Sequence, residues 1–137
     1  MIMIMAIVFA TAAFGLGGAR SSARDDRRKV DLATISSELE KYRADCGRYP
    51  TESQYGAVPV GESLAGDGST PTCTSGSVYI VEKLDDPERP ARVYSYNVDV
   101  AGASYTICTS LESESGPIPV GCTGSCGQAC NYAITSP

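Results

Sequence analysis

The chain has 137 residues, room for one modest domain with an appendage. Its 11 basic and 16 acidic residues leave a formal net charge of −5, and the acids concentrate after Cys46, where four basic groups face ten acidic ones. That sign repels a phosphate backbone, so no nucleic-acid site is expected, and the lack of any histidine excludes the Ser-His and Cys-His nucleophile arrangements.

Met1 to Ala19 contains no charged side chain. About 20 helical residues cross a hydrocarbon core of about 30 Å, so this run is nearly long enough to span a bilayer. Such a stretch reads as a cleaved signal peptide, a permanent anchor, or a helix that leaves the membrane to pack in an assembly. A signal peptide opens with basic residues, whereas here Arg20 and Arg24 follow the apolar run; only the small-residue stretch Ala10-Thr-Ala-Ala resembles a cleavage site. Ile2, Ile4, Ile7, Val8, Phe9, Ala13, Phe14 and Leu16 are the expected assembly surface. Gly15, Gly17 and Gly18 interrupt the run, each costing about 1 kcal/mol relative to Ala inside a helix. They mark either a point of local melting or a close approach to a neighbouring helix.

No turn residue separates Ala19 from Cys46, so the same helix is predicted to run on. Leu32, Ile35, Leu39, Tyr42 and Cys46 recur at intervals of three and four, which lines one face with a stripe able to lie on a sheet. Arg24, Asp25, Asp26, Arg27, Arg28 and Lys29 are expected to form salt bridges along the helix or between subunits, on a solvated face. Gly47 stands where a left-handed C-cap belongs, and Pro50 forbids continuation. About 46 residues at roughly 1.5 Å each make a rod of about 65 to 70 Å, too long for the rest of the chain to cover.

Residues 51–76 are rich in Gly, Ser, Thr and Pro and read as one long connecting loop, tethered at Cys73 with Cys46 as the natural partner. Val78-Tyr-Ile-Val, then residues 93–100, then Tyr105-Thr-Ile-Cys-Thr are β-branched or aromatic and predict three strands in an antiparallel meander. The acidic turn at Asp85, Asp86 and Glu88 between the first two reads as a solvated loop. Beyond Leu111 the chain turns to Gly, Ser, Pro and Cys, with a last edge strand at Tyr132-Ala-Ile-Thr.

Six cysteines without a histidine point to disulfides and an oxidising location. Cys122, Cys126 and Cys130 are separated by three residues each, not the two that tetrahedral zinc sites favour. Apart from Cys46 with Cys73, the pairing of Cys108, Cys122, Cys126 and Cys130 stays open. No metal, cofactor or catalytic residue is expected.

Ala23-Arg-Asp-Asp-Arg-Arg-Lys-Val-Asp-Leu-Ala-Thr-Ile, then Leu39-Glu-Lys-Tyr and Asp45-Cys-Gly-Arg-Tyr-Pro, with Leu84-Asp-Asp-Pro, Val93-Tyr-Ser-Tyr-Asn and Ser104-Tyr-Thr-Ile downstream, resemble the type IV pilin family, including the type II secretion pseudopilins. The resemblance implies an α+β fold, a long N-terminal helix packed on a small antiparallel sheet. It divides the chain into an apolar assembly or transmembrane half-helix (1–19), an amphipathic half-helix (20–46) and an extracellular loop-and-sheet domain (47–137). It implies a structural subunit of a cell-surface filament, partnered by identical copies and, before extrusion from the cytoplasmic membrane, by assembly machinery there. The family's leader peptide and early glutamate have no counterpart here, since Met5 is no carboxylate, and the register of the Arg-Asp block predicts that the given chain begins about two helical turns late. The alternative expectation is a secreted or singly anchored disulfide-bonded binding domain.

Overall fold

A computed structural model of the protein describes the backbone from Ile2 and the side chains from Gly17 onward. It is an α+β fold: a long N-terminal helix, two small antiparallel sheets and three disulfides among the described residues. Helix α1 spans Ile2–Cys46, 45 residues, or roughly 67 Å at the standard rise. It ends at Gly47, whose φ of 74° suits a residue without Cβ and whose N–H reaches back to the Arg43 carbonyl at 2.8 Å.

The apolar stripe forms the core's helical side. Leu32, Ile35, Leu39, Tyr42 and Cys46 are all buried, packed with Tyr49, Tyr79, Ile80, Tyr105 and Ile107. Burying each large side chain is worth about 1.5 to 3 kcal/mol as an upper estimate, so this stripe is the main adhesive between helix and domain.

Residues 51–76 are not one loop. Thr51 caps a short helix, α2 (Glu52–Ala57), through a reciprocal bond pair with Gln54. Strand β1 (Leu64–Ala65) follows and pairs with β2 (Val78–Ile80). The predicted meander is therefore corrected: β2 belongs to this two-stranded sheet, while β3 (Ser95–Val98), β4 (Tyr105–Thr109) and β5 (Tyr132–Thr135) form the other, in the order β3-β4-β5. A short early strand at Leu64 takes β2 as its partner, and the tail returns to complete the larger sheet beside β4. The expected second strand, 93–100, contracts to Ser95–Val98. Tyr55 of α2 packs its ring 4.6 Å from that of Tyr96, covering the β3 edge.

Between β2 and β3 the chain runs as a strap antiparallel to α1. The Tyr79 hydroxyl donates to Asp45 at 3.0 Å at its start, and further on Asp86 meets Arg28. The larger sheet is thus covered by α1 on one face. On the other lies the tail, where Cys108 of β4 bonds Cys122, and Cys126 and Cys130 bond each other beside it.

Candidate functional site

The charged block of α1 is split between solvent and the domain, with Asp26 and Arg27 exposed and Asp25 and Arg28 turned inward. Extending the apolar stripe towards the N-terminus by steps of four and three from Leu32 lands on Arg28 and Asp25, and both are buried, at 0% and 2% exposure. The buried face therefore changes from apolar to ionic without changing period. Salt bridges along the helix include Arg28 with Asp25 and Arg27 with Asp31. Arg24, Arg28 and Lys29 also pair with acids of the chain's own domain, which the sequence did not predict.

Arg28 spends all five of its N–H donors on carboxylates. Its Nε and Nη2 grip Asp86 at 2.7 and 3.0 Å, its Nη1 donates to Asp25 and to Glu112 at 2.7 Å each, and Nη2 also reaches Glu88 at 3.1 Å. Asp25 in turn accepts the N–H groups of Glu112 and Ser113, at 2.9 and 2.8 Å, and the Ser113 hydroxyl. Arg24 holds Glu112 from outside, Lys29 binds Glu114 at 2.6 Å, and Arg92 joins Glu88 to Ser110. Three segments distant in sequence, at 24–29, 86–92 and 110–114, are tied at the point where α1 leaves the domain. Asp86, expected in a solvated acidic turn, is 4% exposed, drawn inward by the guanidinium.

The electrostatics follow from this packing. Burial alone would raise the Asp25 carboxyl, but the Ser113 hydroxyl, the Glu112 and Ser113 N–H groups and Arg28 outweigh it and hold the group at about 2. The Arg24 guanidinium, against the cost of burial and with help from Arg28, holds Glu112 at about 2 as well. Burial works against the Arg28 charge, yet bonds to Asp86, Glu112 and Asp25 prevail and raise its pKa above the usual arginine value. Such a cluster is suited to fixing geometry, because its charges are bonded to one another across three segments of the chain.

Asp26 and Arg27 stay at the surface; Arg27 is 64% exposed, 3.7 Å from Asp31. Gly17 and Gly18 are exposed, with nothing within 4 Å of where a Cβ would sit. Ile2, Ile4, Ile7, Val8, Phe9, Ala13, Phe14, Gly15 and Leu16 lie outside the residues whose side chains are described. Among the described residues no helix is long and apolar enough to cross a membrane.

Cys46 is bonded to Cys73, and Asp67 lies beside the pair. Both sulfurs are spent in the covalent bond and Asp67 is engaged by Arg48 at 2.8 Å, so this grouping offers no open metal ligand set. Asp99 likewise serves its own turn, accepting the Ala103 N–H at 2.7 Å. A cavity of about 270 Å³ lies between α2 and β3, walled by Tyr55, Tyr94, Tyr96, Leu84 and Lys83, whose ammonium donates to the Tyr55 and Val58 carbonyls.

Sequence reasoning missed Arg28 and Asp86 as buried partners. The signal was available for Arg28, which stands on the heptad-like continuation of the stripe, but not for Asp86, whose burial depends on the strap. No protein-family model, no curated protein and no solved structure matches this chain.

Proposed function

We propose that the protein is the structural subunit of an extracellular filament of the type IV pilus kind, inserted in the cytoplasmic membrane before assembly and polymerising through the apolar half of α1. One observation carries the reading: the domain's grip on the rod ends at Arg24, while the helix extends upstream to Ile2 and its residues Gly17–Arg20, Ser22 and Ala23 are exposed. An apolar stretch such as residues 1–19 needs lipid or other copies around it. Exchanging lipid for identical neighbours costs little, because both are equally apolar. In water, separating the bundle would expose about 1.5 to 3 kcal/mol per large apolar side chain, which makes extrusion effectively one-way. The disulfide-bonded acidic domain forms the shell, and the protein acts as scaffold and not catalyst, with identical subunits as partners.

Electron microscopy of sheared cell-surface material, with labelling of this chain, tests the reading. Helical fibres containing the chain are expected. A purely monomeric, detergent-soluble species would overturn it in favour of a singly anchored binding domain.

A further inference from the structure

The exposed side of α1 next to the clamp carries opposite charges on opposite flanks. At about 100° per residue, Arg20 and Arg27 fall within about 20° of each other around the axis, and so do Ala23 and Val30. Asp26 lies about 100 to 120° away from the two arginines, with Ala23 and Val30 on the crest between. All five are exposed, Val30 at 64%. Arg27 has Asp31 at 3.7 Å, whereas neither Arg20 nor Asp26 has an ion-pair partner within 4 Å among the described residues. The neighbouring charges Arg24, Arg28 and Lys29 are already committed to Glu112, Asp86 and Glu114.

From this arrangement we infer that a second copy of the chain docks side by side on this crest, placing its Arg20 against Asp26, in a head-to-tail contact that leaves the outer flank of each copy open for the next. The inference rests on the filament reading. An antiparallel two-fold contact would bring like flanks together, Asp26 to Asp26 or Arg20 to Arg20, and repel, while a parallel two-fold contact allows no axial displacement and leaves Arg20 and Asp26 about 9 Å apart in height. Parallel copies offset along the axis bring unlike flanks together, and because the surface repeats, the contact does not close. Six residues separate the two positions, so the copies are displaced along the helix axis by about 9 Å. Arg27 in the same role would need almost no displacement, but its carboxylate partner is already in its own helix.

Asp26→Cys and Arg20→Cys chains, expressed together and oxidised in sheared fibres, test the contact. A cross-linked product between the two variants is expected, at least tenfold above either variant alone. A dominant cross-link of Asp26→Cys to itself, a preference for Arg27→Cys over Arg20→Cys, or no cross-link in fibres that hold both chains overturns it. Charge reversal supplies a second arm: Asp26→Arg and Arg20→Asp each lose fibres, and the double variant recovers them, with the disulfide-bonded domain folded throughout by circular dichroism. Fibres lost singly but not recovered in the double variant also overturn the contact. A wild-type chain that yields no fibres at all would instead remove the filament reading, and this contact with it.

Discussion

Arg28 and Asp86, 58 residues apart in the chain, meet through two parallel hydrogen bonds with both side chains fully buried. A guanidinium can be buried only if its charge and all its donors are answered, and here four carboxylates answer them. Removing the cation leaves Asp25 and Asp86 buried without it. Arg28→Ala is expected to destabilise the domain by about 3 to 5 kcal/mol in chemical denaturation. Arg28→Lys should recover only part of that, because an ammonium cannot make the two-pronged bond.

Acid should weaken the same cluster. Asp25 and Glu112 are held at about 2, below the ordinary carboxylate range. A depressed folded-state pKa contributes stability that is complete above the unfolded value and disappears as pH falls through the folded one. Stability is therefore expected to be flat down to about pH 5 and to fall between about pH 4.5 and 2, by a few kcal/mol. Glu112→Gln should flatten part of this decline in melts recorded across that range; an unchanged acid profile in the variant would contradict the assignment.

The Cys46–Cys73 bond spans 27 positions and pins the end of α1 to the segment that follows α2. A loop of that size is expected to contribute about 3 kcal/mol by restricting the unfolded chain. Paired Cys46→Ala and Cys73→Ala substitutions should lower the thermal midpoint by several degrees, measured by differential scanning calorimetry.

A charge placed in the apolar half of the rod should act on assembly and not on folding. Leu16→Asp or Ala13→Asp is expected to abolish fibres, since a carboxylate in a packed apolar axis has no partner, while the domain beyond Asp25 keeps its circular dichroism spectrum. Normal fibre yield from either variant would contradict the filament reading.

Gly127 has a φ of 79°, and a Cβ there would sit 2.3 Å from the Ala91 carbonyl oxygen. Gly127→Ala should destabilise the domain by more than about 1 kcal/mol in the same denaturation assay, through strain and backbone displacement together.

The long helix, its C-cap and its apolar face were legible because periodicity over many residues is a strong signal: Leu32, Ile35, Leu39, Tyr42 and Cys46 all turn inward. The same period carried Asp25 and Arg28 inward too, against the usual rule that charge faces water, because segments 86–92 and 110–114 supply their partners. Those partners are distant in sequence, so no local pattern announces them. Helix α2 and strand β1 are too short to show a period, although Thr51 and Gln54 already spelled the capping pair. Only the three-dimensional return of the tail decides that Cys108 joins Cys122 and Cys126 joins Cys130.

The strap beside α1 has a mechanical corollary. Tyr79 and Asp86 touch the helix at two heights along its length, with the chain directions opposed. A pull along the rod loads these attachments together, sideways to their bonds, instead of peeling them one at a time. Tension on the rod would thus be shared between the Tyr79 contact and the ionic cluster.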